Sequence, residues 1–341
     1  MLQVRNKTPF TPGLFLFADE QGVDTVYVAL KATFEVGDGT LAVAREQREL
    51  VMGDEYWGKP GQSSLRHAGE AHLLKPGTDV LLIGEAHAPH GRPAESCMVS
   101  MRVGPLQQVL QVFGDRKWKG GLISPSISSP EPFTRMPLVW ERAFGGVHEV
   151  GEGQILCDRR NPVGRGFRGR RSGAEMVGRA LPNLEHPQHL IGSISDTPEP
   201  VGLGPVAPSW EPRKSCAGTY DEAWQTRRAP YLPHDFKPEF FQVAPPALQS
   251  RGGLRGGEPV ELLNVSPEGI QRFVLPRCAL EVMVRIAGQP IQLQMRLETV
   301  LLEPAESRVC LTWRGAVRCD KQVLKVEETS FAVKSLEGVE S

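Results

Sequence analysis

The stretch Val23-Asp-Thr-Val-Tyr-Val-Ala-Leu-Lys-Ala-Thr-Phe-Glu35 is rich in β-branched and aromatic residues and lacks a helical period. Its period is two. Val26, Val28, Leu30, Ala32 and Phe34 fall on one face, Tyr27, Lys31 and Thr33 on the other. Gly37-Asp-Gly39 supplies a hairpin turn, and Leu41-Ala-Val-Ala-Arg45 runs back. Downstream, residues 49–77 are irregular and 78–86 read as a strand. Residues 97–103 and 106–113 alternate on either side of Gly104-Pro105, the pattern of an antiparallel hairpin. Strand signal resumes at 258–263, 272–275 and 280–286. Ala287-Gly-Gln-Pro290 turns into one long strand over 291–302, and 308–314 with 322–333 complete a meander. Strand spacings of roughly ten residues with turn signals between them predict a mainly β fold, an antiparallel sandwich or barrel-like scaffold. There is no βαβ alternation, which argues against a Rossmann or TIM architecture.

Between the β-rich ends the character changes. Residues 132–254 hold Met136-Pro-Leu-Val-Trp-Glu-Arg-Ala-Phe-Gly-Gly146, Asn161-Pro-Val-Gly-Arg-Gly166 and Gly202-Leu-Gly-Pro-Val-Ala-Pro-Ser-Trp210, and no period survives for more than a turn or two. Pro interrupts ladders and Gly supplies positive φ, so regular elements there are short. The best helix candidates span 137–144, 221–228 and 238–243. Abundant Trp, Phe and Tyr set this stretch apart from a disordered linker. It reads as a long, ordered insertion, and loops of that length inside a domain are usually functional. The expected organisation is a β-rich segment over 1–131 ending in a Ser/Pro linker (119–131), an irregular insertion over 132–254, and a β-rich segment over 255–341 that packs with the first as one unit.

The whole chain of 341 residues carries 39 basic and 40 acidic residues, so no global field draws it to nucleic acid or membrane. No run approaches the length of a membrane span, and the first residues lack an apolar signal core. Six scattered cysteines without a CxxC suit reduced thiols in a cytoplasm. The HxxH pairs His87/His90 and His186/His189 each contain a Pro, which prevents a helix from aiming both rings at a zinc ion. No nucleophile elbow, zincin motif or phosphate loop occurs, and no cofactor is expected. Acid–base chemistry would need Glu141, Asp115, Asp221 or Asp235 brought together by the fold; each stands near Arg or aromatic residues and serves equally well as a structural partner. Residues 159–171 hold six Arg (Arg159, Arg160, Arg165, Arg168, Arg170 and Arg171) with only Phe167 interleaved. That composition favours an acidic protein surface over nucleic acid. Trp140, Glu141, Arg142 and Phe144 are of the type that anchors interfaces, or equally plugs a core.

The motifs Thr8-Pro-Phe10, Lys31-Ala-Thr-Phe34, Ser63-Ser-Leu65, Lys75-Pro-Gly-Thr-Asp-Val80 and Val112-Phe-Gly-Asp-Arg-Lys-Trp118 occur in order. They are followed by residues 136–146 and 161–166 quoted above, Leu181-Pro-Asn-Leu-Glu185, Gly218-Thr-Tyr-Asp221, Leu232-Pro233 with Asp235-Phe236, and Gly256-Gly-Glu258. Together they resemble a bacterial family encoded beside type VI secretion genes. The resemblance implies an adaptor or chaperone that holds a secreted effector and helps load it onto the secretion spike, through VgrG or PAAR-type proteins. It implies no catalytic set. The partner-binding residues expected on this reading are Trp140, Glu141, Arg142, Phe144, Arg165, Arg168, Arg170 and Arg171, with neither nucleic acid nor membrane as partner. The competing expectation is an enzyme, such as a hydrolase, with its site in the insertion around Glu141 and Asp221. A desolvated carboxylate pair in a deep pocket would favour the enzyme, and an apolar groove with exposed Trp or Phe the adaptor.

Overall fold

The computed structural model describes residues 3–121, 124–151 and 153–340; Leu122 and Ile123 of the expected linker lie outside the described residues. The chain is mainly β, with 42% strand and 11% helix, so helix falls well below the usual third. None of the sheets closes into a barrel. Three sheets carry the architecture. The largest runs Gln249–Ser250, Thr78–Leu82, Arg296–Glu303, Arg308–Arg318, Asp24–Val36 and Thr11–Ala18, with Leu41–Val43 also paired to Asp24–Val36. A five-stranded sheet runs Leu184–Glu185, Leu106–Phe113, Ser96–Val103, Pro259–Leu263 and Ile270–Val274. A four-stranded sheet runs Gln3–Asn6, Val326–Glu337, Arg277–Ile286 and Gln289–Leu293. Their buried faces share one hydrophobic cluster, which includes Val28, Val112 and Val284.

The sheets interleave the two ends of the chain. Thr78–Leu82 lies parallel to Arg296–Glu303, and Asp24–Val36 antiparallel to Arg308–Arg318. Gln3–Asn6 also pairs in parallel, with Val326–Glu337, so the scaffold is not wholly antiparallel. The insertion contributes Leu184–Glu185 to one sheet and Gln249–Ser250 to another.

Thr25 to Phe34 are buried without a break. The face formed by Val26, Val28, Leu30, Ala32 and Phe34 enters the main core. Tyr27 and Ala29 on the other face pack with Phe15 and Leu73. Further along that face the cover is polar. The Lys31 ammonium donates to Glu70 at 2.7 Å, as does the Thr312 hydroxyl at 2.8 Å. Arg314, fully buried, donates from Nε to Glu298 at 2.7 Å and from Nη2 to the Glu70 carbonyl at 2.6 Å. Lys75 donates its backbone N–H to Glu298 and its ammonium to Asp79, both at 2.7 Å. Asp79 also accepts the backbone N–H of Val243 at 2.9 Å. Burial pushes the Glu298 carboxyl up, while Arg314 and Lys75 pull it down. Charges taken this far from water persist only when paired, and these pairs tie the irregular segments around Glu70, Lys75 and Val243 to the sheet.

One expected strand is broken. Residues 291–302 do not run on; Gln289–Leu293 ends in the four-stranded sheet and Arg296–Glu303 begins in the largest. The intervening Gln294 and Met295 cross between them over Gly315, where a Cβ would stand 2.8 Å from the Met295 sulfur and 3.2 Å from the Gln294 carbonyl oxygen. Alternation alone carries no sign of a change of sheet. Of the three helix candidates, only Glu222–Arg227 is α-helical; Trp140–Arg142 and Pro238–Phe241 are 3-10 turns. The other α-helix, Gly173–Met176, starts from a Ser172/Glu175 capping box. Among the described residues no helix is long and apolar enough to cross a membrane.

Because the largest sheet places two C-terminal strands between N-terminal ones, residues 1–131 or 255–341 expressed alone are expected to show no cooperative melting transition as monomers. Scanning calorimetry of each fragment beside the whole chain checks this; a fragment that melts as sharply as the full protein would refute it.

Candidate partner-docking site

A groove of about 440 Å³ lies between the Glu55–Tyr56/Leu65–His67 hairpin and the segments around Val139 and Ala305. Trp57 forms one wall and is 45% exposed. Ile83, Pro137, Val139 and Ala305 supply apolar surface, and Glu85, Glu141, Glu303 and Glu306 supply charge.

The hairpin holds Trp57 rigidly. The Trp57 N–H donates to the Ser64 carbonyl at 3.0 Å, and the Gly58 N–H to the Ser63 hydroxyl at 2.9 Å. The Arg66 guanidinium lies 4.8 Å from the centre of the Trp57 ring, a cation–π contact. Ser64 is fully buried and donates both its N–H and its hydroxyl to the two carboxylate oxygens of Glu141, each at 2.7 Å. The 3-10 turn Trp140–Arg142 presents Glu141 to that loop. Glu303 closes the floor. Arg308 donates to it at 2.8 Å, and the His67 ring lies 3.5 Å away. Burial pushes the Glu303 carboxyl up, but hydrogen bonds from His67 and Arg308 outweigh it and bring it down to about 2.

Trp140 and Phe144, expected as possible interface anchors, are 5% and 2% exposed and belong to the core. Trp140 donates from Nε1 to the Pro205 carbonyl at 3.0 Å, meets Trp210 edge to face at 6.2 Å, and packs over Gly202. Asn161, also buried, donates to the carbonyls of Trp140 and Phe144 at 2.7 and 3.0 Å. A Cβ on Gly145 would stand 2.1 Å from the Asn161 carbonyl oxygen, so the two motifs are pressed together where only glycine fits. As placed, both aromatics plug the core, the alternative that their residue types left open.

The remaining expected residues divide between internal partners and solvent. Arg142 donates to Asp115 at 2.8 Å and to Asn183 at 3.1 Å; Arg165 donates to the Glu141 carbonyl at 2.9 Å. Asn183 donates to Asp115 at 3.0 Å, and that bond leads the causes that hold the Asp115 carboxyl below its usual range. Arg116 pairs with Glu185 and lies 3.8 Å from the Phe113 ring centre. Arg168 donates to the Arg171 carbonyl, and Arg171 is buried and donates to the carbonyls of Phe167 and Val147. Arg160 pairs with Asp158. Much of the Arg-rich loop binds its own carbonyls, because an irregular backbone leaves many acceptors to satisfy, and Arg159 and Arg170 are left exposed.

Asp221 N-caps Glu222–Arg227, and Asp235 accepts from Thr219; neither shares a hydrogen bond with Glu141. Among the described residues no three His, Cys, Asp or Glu side chains are grouped to hold a metal ion. Trp57, Arg66, Ile83, Val139 and Glu306 were not singled out from sequence as site residues. The neighbouring Tyr56-Trp57 and Ser63-Ser-Leu-Arg66 were the available signal, since an unburied Trp in a tight loop is unusual.

Ser64→Ala is expected to cost about 1–3 kcal/mol, because it removes the hydrogen bond from a fully buried hydroxyl to the half-buried Glu141 carboxylate; urea unfolding measures this. Glu303 contributes stability that is whole above its ordinary value of 4.5 and lost as pH falls toward about 2. Glu303→Gln is expected to destabilise at pH 7 by on the order of 1–2 kcal/mol after solvent screening, the gap from wild type narrowing as pH falls below 4.5 and closing only toward about 2. Unfolding curves across that pH range test it, and a gap independent of pH would contradict it.

No curated protein and no solved structure matches the chain. Residues 21–314, which take in the Trp57 hairpin, the Asn161 and Asn183 locks and most of the largest sheet, match the model of a family described as an uncharacterized protein conserved in bacteria (DUF2169), and the chain belongs to that family.

Proposed function

We propose that this protein is a cytoplasmic adaptor or chaperone that binds a secreted type VI effector and helps load it onto the spike or a PAAR-type tip protein. The observation that carries the reading is the groove walled by Trp57. It combines a large, half-exposed aromatic, a clamped backbone and apolar walls, the features of an interface hot spot. Its carboxylate rim favours an apolar segment of the effector that also bears Lys or Arg. The secretion context rests on the motif resemblance. The carboxylates considered for acid–base work are engaged elsewhere: Glu141 clamps Ser64, Asp221 caps a helix and Asp115 holds Asn183 and Arg142. The proposal assigns them no catalytic step.

The test compares wild type and Trp57→Ala, each tagged in the source bacterium. Wild type is expected to retain a secreted effector together with a spike or tip protein. Trp57→Ala is expected to weaken effector binding at least tenfold with its melting temperature nearly unchanged, in line with the loss of a buried Trp anchor. Deletion of the gene is expected to stop secretion of the effector without stopping its synthesis. Secretion unaffected by deletion, or effector binding unaffected by Trp57→Ala, would overturn the reading.

A further inference from the structure

A second cleft, of about 1000 Å³, opens where the chain crosses from Gln289–Leu293 to Arg296–Glu303. It lies on different residues from the Trp57 groove, and its charge has the opposite sign. Arg251, Arg255 and Arg296 line it, and all three are exposed. None of their guanidinium groups has an ion pair or hydrogen bond among the described residues, whereas Arg142, Arg160, Arg308, Arg314 and Arg318 all pair with acids. The one acid in the lining, Glu298, is consumed by Arg314 and by the Lys75 backbone. Lys75, also in the lining, is neutralised by Asp79. The cleft thus carries three guanidinium groups without an ion-pair partner among the described residues, the nearby Glu258 carboxylate accepting the Arg255 backbone N–H at 2.9 Å, in a chain whose net charge is −1. Half-buried Leu280 and Met295 add apolar surface, backed by buried Leu254 and Trp313.

We propose that this cleft binds an acidic, leucine-bearing segment of a partner polypeptide, at a site separate from the Trp57 groove. Three free guanidinium forks match carboxylates in geometry and charge. Their density in one cleft focuses the local field although the whole protein has almost none. The volume is at the upper limit of small-molecule pockets, which suits a peptide segment better than a single small anion. Met295 gives the apolar strip an adaptable side chain that accommodates varied partner sequences. Two clefts of opposite sign let one chain hold two chemically different partners without competition, and each rejects the other's segment by like-charge repulsion.

The test uses the full chain and two fluorescein-labelled decapeptides, one alternating Glu and Leu, the other Lys and Leu, followed by fluorescence anisotropy. The Glu/Leu peptide is expected to bind, with affinity falling steeply between low and high salt. The triple variant R251A/R255A/R296A is expected to weaken it at least tenfold, and Trp57→Ala to leave it unchanged. The charge reversal Arg296→Glu carries the same test should the triple variant lose its melting transition. No binding of the Glu/Leu peptide, equal binding by the triple variant, or equal binding of the Lys/Leu peptide would overturn the proposal. Full displacement by inorganic phosphate at low millimolar concentration would assign the cleft to a small anion and overturn it as well. Because Trp57→Ala separates the two clefts, failure here leaves the effector-binding groove untouched, and the converse holds too.

Discussion

The structure depends on a buried lattice of charges laid across one face of its largest sheet. Lys31, Glu70, Thr312, Arg314, Glu298, Lys75 and Asp79 form a chain of contacts that spans four strands and the segments packed on them. Each member is costly to bury alone and acceptable only in company; removing one partner of such a pair typically costs 3–5 kcal/mol. An apolar face would have held a cover of any register. This one accepts only a cover that brings Glu70, Lys75 and the Val243 amide to fixed places, so it specifies where the irregular segments lie. The Trp57 groove is a consequence, because the hairpin that carries Trp57 ends a few residues before Glu70.

The same economy runs through the insertion. Asp115, Arg116, Arg142, Asn161, Arg165, Asn183 and Glu185 make bonds that close on one another or on nearby carbonyls. In this fold these residues hold backbone that has too little regular structure to satisfy itself. Recognition falls to what is left over: a clamped Trp beside carboxylates, and guanidinium groups without acids.

The alternation in residues 23–35 and in the 97–113 hairpin sufficed to place strands at the right positions and to set the fold class. Antiparallel register follows from a two-residue turn, and a β-branched run has few other stable outcomes. The low helix content was equally legible from Gly and Pro. The candidate site was not. Glu141 and Arg142 were visible as chemistry, but whether Glu141 faces a substrate, a partner or Ser64 depends on a loop 77 residues away in sequence.

What the sequence by itself determined is local: where strands begin and turn, that the middle of the chain has no long regular element, and that charges balance. What only the tertiary structure decided is which side of each element is covered. Trp140 and Trp57 are the same residue type, each with a charged residue within two positions along the chain. One is sealed by Pro205 and Trp210 and the other is left open beside Arg66. Residues 291–298 alternate without a break, yet Gly315, on a neighbouring strand, lets the chain change sheets there. Burial is a property of long-range contacts, and the free energy that fixes it comes from partners hundreds of residues apart, such as Lys75 and Glu298; no window along the chain contains both.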